Sequence, residues 1–438
     1  QMQQKEVMIS KDVVSSTDAL EPGSDYVDNQ VMFWADSREY AETVAAAYNG
    51  ELIQYSNHIA LVELQSATVL EALTVAADTT NNMPALDANH IIRLDPDERY
   101  AANKAKVELT TQADVPTKQT WFDRTDDPFL QNPTDSDYQW MHDIMNTYEA
   151  WGVTTGSSSV KVAVIDSGVM TSHEDLAGKV TVVDMIGVRL DDTHVIETND
   201  DTDGHGTHVA GIIAATADNG KGGSGIAPGV SILSLAALPG GEGTDFCITV
   251  AVGRAVEAGA DIINMSFGSH LYNQAMGEAI QDATANNVAC IAAMGNDGTN
   301  AVCFPAGYLN VIAVAAVNSD LRRANFSNYG SWADIAAPGV DINSCVGTGE
   351  SAYESWDGTS MATPVVSGVA ALYLSKVHTS SVGALEKKLK SCVNPSGSSS
   401  IGVGVIDAAK LFSADRTPPK ITVKDPAANT ITSFTLPI

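Results

Sequence analysis

Five short runs of apolar residues constrain the fold of this chain more than any other feature. Such runs are typical of parallel strands that are buried on both faces of a sheet. The runs are Val160–Ile165, Ser231–Ala236, Ile262–Met265, Val288–Ala293 and Val311–Val317. Helical patterns lie between them at Val209–Ala217, Cys247–Glu257 and Met276–Ala285. This alternation predicts an α/β three-layer sandwich with a mainly parallel sheet, whose ligands bind at the carboxyl ends of the strands.

A smaller pattern precedes this region. Strands are predicted at Gln30–Ala35, Glu51–Tyr55, Ile59–Leu64 and His90–Leu94, and helices at Glu39–Tyr48 and Ala67–Ala77. The order β-α-β-β-α-β predicts a small α+β domain of the ferredoxin-like kind. Such a domain could be a free-standing binding module, or an inhibitory propeptide if a hydrolase follows it.

We therefore divide the chain of 438 residues into several parts. They are a loose lead-in over 1–25, the small domain over 26–103, a linker with a processing site over 104–136, the main α/β domain over 137–413, and an extension over 414–438 that could begin a further β domain.

Composition excludes some classes of function. The net charge of −30 argues against nucleic acid as a partner. No run is long and apolar enough to cross a bilayer. The cysteines form no Cys-x-x-Cys pair, which disfavours a zinc site, and their odd number leaves at least one unpaired in a monomer. They are Cys247, Cys290, Cys303, Cys345 and Cys392.

Ser360 is the candidate nucleophile. It lies in Asp357-Gly358-Thr359-Ser360-Met361-Ala362-Thr363-Pro364, directly before an apolar helical stripe. We predict that Pro364 lies in the first turn of this helix, where its missing N–H is harmless. A hydroxyl at a helix N-terminus can attack a carbonyl whose oxyanion meets free N–H groups. The alternative is an ordinary serine N-cap.

Two further side chains follow predicted strand ends or begin predicted helices. Asp166 ends the first buried run, and His205 stands in Asp203-Gly204-His205-Gly206-Thr207-His208 at the start of a helix. Histidine is the usual general base near neutral pH, and a carboxylate can orient it. His205 and His208 could also be a metal pair, but a third ligand and a nearby glutamate are missing. We interpret His208 as a polar contact of the helix.

Asn296 is the candidate oxyanion donor. It follows another buried run, in Ala292-Ala293-Met294-Gly295-Asn296. A neutral amide is suited to a developing oxyanion, although an asparagine in a glycine-rich loop can simply form a turn.

Two of these motifs closely resemble those of the subtilisin-like serine proteases. They are His205-Gly206-Thr207-His208-Val209-Ala210-Gly211 and Gly358-Thr359-Ser360-Met361-Ala362-Thr363-Pro364, and the order Asp166, His205, Ser360 is also that of the family. The resemblance covers about residues 138–412. It implies a subtilisin-like fold and peptide-bond hydrolysis, in which Asp166 orients His205, His205 deprotonates Ser360, and Asn296 helps to hold the oxyanion. Catalysis would need no cofactor.

The resemblance also implies how substrate binds. Two edge segments, Gly241-Glu242-Gly243 and Ser266-Phe267-Gly268, would hold an extended peptide by strand addition. Ala293 and Gly295 would line the first specificity pocket. Cys303 stands where the family usually has a small residue at the pocket floor, which disfavours long or aromatic side chains there. Glu242 and Asp297 at the rim would favour basic substrate residues.

A structural calcium ion is a further implication of the resemblance. Asp175 and Asn219 stand where many relatives bind Ca²⁺, and oxygen ligands suit this ion. The loop from Asp218 to Gly223 contains Lys221 and extra glycines, however, which could abolish the site.

The sequence thus predicts a secreted, monomeric serine endopeptidase that acts on peptides and proteins. The small N-terminal domain would be its inhibitory propeptide, removed by self-cleavage near Arg99–Lys104. The alternative is a catalytically silent binding or regulatory protein, kept inhibited by the retained domain. A lipase would need Gly-x-Ser-x-Gly, which the neighbours of Ser360 do not provide.

Overall fold

The structure is a computed structural model. It describes residues 21–78, 84–95, 126–185, 201–377, 381–396 and 399–412. The predicted processing region Arg99–Lys104, most of the lead-in and the C-terminal extension lie outside these residues. In the part of the chain that is described, no helix is long and apolar enough to span a bilayer.

Residues 21–78 and 84–95 form what we call the N-terminal unit. Its elements are β1 (Tyr26–Trp34), α1 (Arg38–Ala47), β2 (Gly50–Ser56), β3 (Ile59–Leu64), α2 (Val69–Ala77) and β4 (Asp87–Arg93). The strands form an antiparallel sheet in the order β2-β3-β1-β4. Both helices have polar N-caps, Ser37 for α1 and Thr68 for α2. Thr68 also forms a reciprocal capping box with Glu71, which satisfies two N–H groups at the helix start.

The larger unit is built on a nine-stranded sheet. Its strands are β5 (Lys161–Asp166), β6 (Val180–Met185), β7 (Ser231–Ala236), β9 (Ile262–Met265), β10 (Ala289–Ala293), β11 (Val311–Val317), β12 (Ile335–Pro338), β15 (Val393–Asn394) and β16 (Val405–Ile406). They lie in the order β15-β16-β12-β11-β10-β9-β5-β7-β6. Every described pairing in the sheet is parallel except that of β15 with β16.

The remaining elements surround this sheet. The helices are α3 (Met141–Ile144), α4 (Thr147–Trp151), α5 (His205–Ala214), α6 (Asp245–Glu257), α7 (Gln274–Ala285), α8 (Thr359–Leu374) and α9 (Val382–Ser391). A hairpin pairs β13 (Ile342–Cys345) with β14 (Tyr353–Trp356). The short strand β8 (Glu242–Thr244) does not join the nine-stranded sheet but pairs with β4 of the N-terminal unit.

Alternation along the buried strands explains the three layers. On β5, Val162 and Val164 belong to the apolar cluster that includes α5 and α8, whereas Ala163 and Ile165 belong to the cluster that includes α6 and α7. Both faces of the sheet are therefore covered, which is why these strands appear in the sequence as continuous apolar runs. The predicted α/β three-layer fold, preceded by a small α+β unit, is confirmed.

One local prediction was wrong. Helix α8 begins at Thr359 after the N-cap Gly358, so Ser360 is its second residue and Pro364 lies in its second turn. A proline there cannot donate to the carbonyl four residues earlier, which belongs to Ser360. The Ser266 hydroxyl donates to that carbonyl instead, at 2.8 Å, so the helix tolerates the proline.

The predicted linker also differs in its last part. Within 126–136, Leu130 is fully buried and the Phe129 N–H donates to the Gly222 carbonyl at 2.9 Å. These residues therefore pack against the larger unit.

Candidate active site

The carboxyl edge of the central sheet brings the predicted residues together. Strands β5 and β9 are parallel neighbours with Ile165 opposite Met265, so Asp166 and Ser266 lie side by side where the strands end. Strand β10 lies on the other side of β9 and ends at Ala293, three residues before Asn296. The fold thus collects three separate loops at one edge, as expected for a parallel sheet.

Asp166 and His205 form a buried pair at this edge. His205 Nδ1 and Asp166 Oδ1 are 2.8 Å apart, and both residues are almost completely buried. Gly206 allows this approach, because a Cβ at that position would lie 2.0 Å from the Gly168 carbonyl oxygen. The carboxylate fixes the tautomer with a proton on Nδ1, which leaves Nε2 as the basic nitrogen.

Ser360 is joined to the same edge through Ser266. The Ser360 hydroxyl donates to the Ser266 carbonyl at 2.9 Å, and the Ser266 hydroxyl donates to the Ser360 carbonyl at 2.8 Å. Helix α8, which carries Ser360, packs against α5, which carries His205. Ser360 is 5% exposed, so the residue is almost completely buried and its hydroxyl is held at this edge.

Asn296 is oriented by Thr359, the residue before Ser360. Its Oδ1 accepts bonds from both the N–H and the hydroxyl of Thr359, each at 2.9 Å. The Thr359 hydroxyl in turn accepts the Gly295 N–H at 3.1 Å. With its oxygen held in this way, Asn296 directs Nδ2 away from Thr359, and there Nδ2 donates to Asp95 Oδ2 at 3.2 Å.

The predicted edge segment at 241–243 binds an extended strand, and that strand is part of the same chain. Strand β4 pairs with β8 in antiparallel register, Ile92 opposite Gly243 and Arg93 opposite Glu242. The Leu94 N–H then donates to the Gly241 carbonyl at 2.8 Å. Arg93 Nε and Glu242 Oε2 are 2.6 Å apart. Ile92 and Leu94 are buried in the apolar cluster that contains Phe246 of the larger unit.

The second segment and the pocket residues also meet. Cys303 Sγ lies between two glycines, because a Cβ would be 2.5 Å from it at Gly268 and 3.3 Å at Gly295. Burial, followed by the nearby Asp297 carboxylate, raises the pKa of the Cys303 thiol to about 12, so it remains a neutral thiol. Phe267 and Ala293 beside this region are buried.

Asp297 at the rim already has partners. Its Oδ2 lies 3.1 Å from His270 Nε2 and accepts a bond from Asn328 Nδ2 at 3.0 Å. Of the two acidic residues expected to favour basic substrate residues, Glu242 is the one that contacts an arginine in this structure, Arg93.

The candidate calcium ligands are adjacent. Asn219 Nδ2 donates to Asp175 Oδ1 at 2.7 Å, and the Tyr353 hydroxyl donates to Asp175 Oδ2 at 2.9 Å. Asp127 lies nearby and accepts the N–H groups of Asp218 and Asn219. Burial raises the pKa of both carboxyl groups, and the charge of Asp175 contributes to the shift of Asp127.

Two partly or fully buried carboxylates are ligands that suit a hard cation. The Asn219 amide, though, directs Nδ2 at Asp175, and its Oδ1 accepts the Lys221 N–H at 3.0 Å. Within the described ranges, however, no group of three His, Cys, Asp or Glu side chains is arranged to hold a metal ion. Any cation here would therefore also need amide and main-chain oxygens.

His208 is not part of this machinery. Its Nε2 lies 3.0 Å from the Glu354 carbonyl oxygen, and its ring stacks on Trp356 with centroids 4.5 Å apart. Burial lowers the pKa of His208 to about 3, so the ring is neutral. The interpretation of His208 as a polar contact of the helix agrees with this arrangement.

Both the sequence and the fold are similar to those of known proteins. The sequence model of the subtilase family matches residues 157–404, more than half of the chain. This chain belongs to the subtilase family. The match begins just before β5 and ends just before β16, so it covers all the strands and helices that carry Asp166, His205, Asn296 and Ser360.

Individual relatives of this subtilase agree with that assignment. A thermophilic serine proteinase of Bacillus sp. (strain AK1) is 43% identical over 249 residues, which are 56% of this chain and 60% of that protein. Thermitase of Thermoactinomyces vulgaris is 40% identical over 234 residues, 53% of this chain and 81% of thermitase.

Among solved structures, fervidolysin from Fervidobacterium pennivorans, described as a keratinolytic enzyme related to subtilisin, superposes with a TM-score of 0.72 at 24% identity. The superposition covers 90% of this chain and 62% of fervidolysin, and it shows a shared fold. This subtilase thus spans less than two thirds of fervidolysin and of the Bacillus proteinase.

Sequence reasoning missed several residues of the site. Thr359 and Asp95 contact Asn296, and Asp127 joins the candidate calcium ligands. Thr359 could have been found, since it belongs to the Ser360 motif. Asp95 and Asp127 could not, because only the fold brings these distant segments to the site.

Proposed function

We propose that this subtilase is a serine endopeptidase that hydrolyses peptide bonds through an acyl-enzyme on Ser360. The observation that carries the proposal is the buried 2.8 Å contact between His205 and Asp166 at the sheet edge that also holds Ser360. A nucleophile, a base, a group that orients the base and an amide donor at one edge are the parts that acyl transfer requires.

The proposed steps are those of a Ser-His-Asp triad. Ser360 Oγ attacks the substrate carbonyl carbon while its proton passes to His205 Nε2, and Asp166 stabilises the imidazolium that forms. The carbonyl oxygen becomes an oxyanion that receives bonds from Asn296 Nδ2 and the Ser360 N–H. His205 then gives its proton to the leaving amine as the C–N bond breaks. A water molecule releases the acyl group by the same route.

A fluorophosphonate probe tests this proposal, because it reacts covalently with an activated serine. We expect the mature wild-type protein to be labelled at Ser360 and to cleave peptides. Ser360→Ala should do neither, whereas Ser159→Ala, which changes an exposed serine far from the site, should behave as wild type. Absence of both labelling and cleavage in the wild type would favour the catalytically silent alternative.

The N-terminal unit is proposed to inhibit the enzyme as its propeptide. Support comes from β4, which occupies the edge strand β8, and from Asp95, whose carboxylate binds Asn296 Nδ2. Two side chains of the unit also receive helix N-terminal N–H groups. Asp87 accepts those of Gln274 and Ala275, and Asn89 accepts that of Phe246. Such bonds stabilise both helix starts.

Self-cleavage between the two units is proposed to occur near Arg99–Lys104. Purified Ser360→Ala should remain one uncut chain, whereas the wild type should acquire a new N-terminus that sequencing can locate. Spontaneous cutting of the Ser360→Ala chain would disprove self-processing without disproving peptidase activity.

We also propose that Asp127, Asp175 and Asn219 would hold a structural Ca²⁺ ion, whose positive charge would offset the charges of the two carboxylates. Secretion and a monomeric state stay predictions from the family resemblance. Peptides and proteins are the proposed substrates, and the charge of −30 again argues against nucleic acid as a partner.

A further inference from the structure

Asp201 is a completely buried carboxylate between the two segments that carry Asp166 and His205. It is 1% exposed. Its Oδ1 accepts the Ser167 hydroxyl at 2.7 Å and the Gly204 N–H at 2.8 Å. Its Oδ2 accepts the N–H and the hydroxyl of Thr207 at 2.8 and 2.6 Å. Four donors therefore converge on the two oxygens, from residues directly beside Asp166 and on both sides of His205.

The partners of Asp201 extend these links. The Ser167 hydroxyl accepts the Gly206 N–H at 2.9 Å, and the Ser167 N–H donates to Asp166 Oδ1 at 2.7 Å. The Thr207 hydroxyl accepts the Met170 N–H at 2.9 Å. Ser167 thus joins the end of β5 to the first turn of α5, and Thr207 joins α5 back to the loop after β5.

We propose that Asp201 is a positioning residue. Through Ser167 and Thr207 it holds Asp166 and His205 at a fixed distance and angle. This inference rests on the proposed peptidase function. Asp201 touches neither substrate nor the reacting atoms. Its role is to fix the distance and angle between the two segments, so that the imidazole stays in the geometry that proton transfer from Ser360 requires.

The charge and the two equivalent oxygens of Asp201 are both needed for this role. Burial raises the pKa of its carboxyl group, while the bonds from Thr207, Ser167 and Gly204 oppose that shift. An asparagine has nearly the same shape but offers only one accepting oxygen. Its NH₂ group would have to face either the Ser167 and Gly204 donors or the two donors of Thr207. In both orientations two hydrogen-bond donors would lie against a third donor and would lose their acceptor.

The test is steady-state kinetics of the mature wild-type and variant enzymes on one peptide substrate. We expect Asp201→Asn to lower kcat about 10- to 100-fold, the size of effect expected when reacting groups are misplaced by about 1 Å. KM should change by no more than about twofold, because substrate contacts remain. A wild-type kcat in Asp201→Asn would overturn the inference.

Two substitutions of Thr207 test the same network and provide a result even if Asp201→Asn does not fold. Thr207→Val keeps the shape but removes the hydroxyl, and it should lower kcat. Thr207→Ser keeps the hydroxyl and should retain kcat within about threefold. Equal kcat values for the two variants would contradict the proposal.

Two further variants separate positioning from general stability. Asp407→Asn changes another buried aspartate, 4% exposed, whose Oδ1 accepts the Ala409 N–H and Asn146 Nδ2. It should lower the melting temperature but not kcat.

In a His205→Ala background, Asp201→Asn should cost no further activity, since no imidazole remains to be positioned. A further loss as large as that in the wild type would refute the positioning role.

The outcomes also distinguish this inference from the proposed function. A wild-type protein that neither cleaves peptides nor reacts with a fluorophosphonate would refute the peptidase function itself. An active wild type with unaffected Asp201→Asn and Thr207→Val variants would refute only the role of Asp201.

Discussion

His90 of the N-terminal unit and Asp245 at the start of α6 lie 2.6 Å apart, Nδ1 to Oδ2, across the contact between the two units. Both side chains are buried, and Asp245 Oδ2 also accepts a bond from Asn273 Nδ2 at 2.8 Å. Asp87 lies in the same contact. Ionisable groups buried between two units make their association depend on pH.

The pKa shifts predict that the N-terminal unit binds more weakly as the pH rises. Burial alone would lower the pKa of His90, but the carboxylates of Asp245, Asp87 and Asp25 outweigh it and raise that pKa. Burial raises the pKa of Asp87 to about 6, although bonds from Gln274 and Ala275 oppose it. Both groups hold their protons more tightly when the units are joined. Their contributions are therefore full at low pH, and they are lost as the pH rises through about 6 for Asp87 and above 6.5 for His90.

Size-exclusion chromatography of the processed protein between pH 5 and 9 measures this dependence. Over this range the fraction that retains the N-terminal unit should be greatest at pH 5. It should fall as the pH approaches 6, where Asp87 loses its proton, and fall again above pH 6.5, where His90 loses its proton. His90→Gln should reduce the loss of the N-terminal unit above pH 6.5. His58→Gln, in the hairpin between β2 and β3, should leave the pH dependence of retention unchanged. Retention that increases with pH would contradict the expected sign.

Asn296→Ala should impair turnover much more than binding. Its amide donates to charge that develops only in the transition state, so kcat should fall about 10²- to 10³-fold, or roughly 3–4 kcal/mol, with little change in KM. Loss of one oxyanion donor in subtilisin has an effect of this size. Asn286→Ala, which changes an exposed asparagine at the end of α7, is the control. A main effect on KM would assign Asn296 to ground-state binding.

The sequence predicts strands that are buried on both faces better than it predicts strands at the edge of the sheet. The apolar runs Ser231–Ala236, Ile262–Met265 and Val311–Val317 coincide with β7, β9 and β11, because burial on both faces leaves a continuous signal. Strand β6 at the sheet edge was missed. Its sequence Val-Thr-Val-Val-Asp-Met mixes polar and apolar residues, because an edge strand is covered only in part.

The site shows the same limit. The motifs predicted Asp166, His205, Asn296 and Ser360 as site residues, since each ends or follows a buried strand or begins a helix. They could not identify Asp201 or Asp127, whose partners are set by how loops cross in space. Pro364 was placed in the first helical turn because propensity favours that position. The tertiary bond from Ser266 to the Ser360 carbonyl lets it lie one turn later.

Glu242 should favour a basic side chain in substrates at the position that Arg93 occupies. Both side chains are about half exposed, so the pair contributes little, and we expect only a two- to fivefold preference, roughly, for Arg over Gln. Competitive inhibition by peptides based on Ile92–Asp95 measures it. Glu242→Gln should remove the preference and Glu242→Lys should reverse it, while Glu149→Gln on α4 is the control. A preference for acidic residues in the wild type would refute the role of Glu242.

Cys303→Gly should widen the specificity pocket. The thiol lies against Gly268 and Gly295, so its removal frees space where a large side chain of the substrate could enter. We expect kcat/KM for substrates with Phe before the scissile bond to rise about tenfold relative to Ala. Cys392→Gly removes a buried thiol elsewhere and controls for loss of stability. An unchanged Phe-to-Ala ratio would mean that Cys303 does not limit the pocket.

Removal of calcium should lower the melting temperature of the wild-type protein. Asp127 and Asp175 are buried like charges, and a bound Ca²⁺ ion would relieve their repulsion. Free Ca²⁺ at 100 times its dissociation constant would stabilise the folded state by about 2.7 kcal/mol.

Melting with Ca²⁺ and with a chelator measures the difference, which Asp175→Asn and Asp127→Asn should abolish. Asp135→Asn, an exposed neighbour in sequence, should preserve it. Identical wild-type melting curves would show that hydrogen bonds from Asn219, Tyr353 and the loop N–H groups are sufficient to hold these carboxylates.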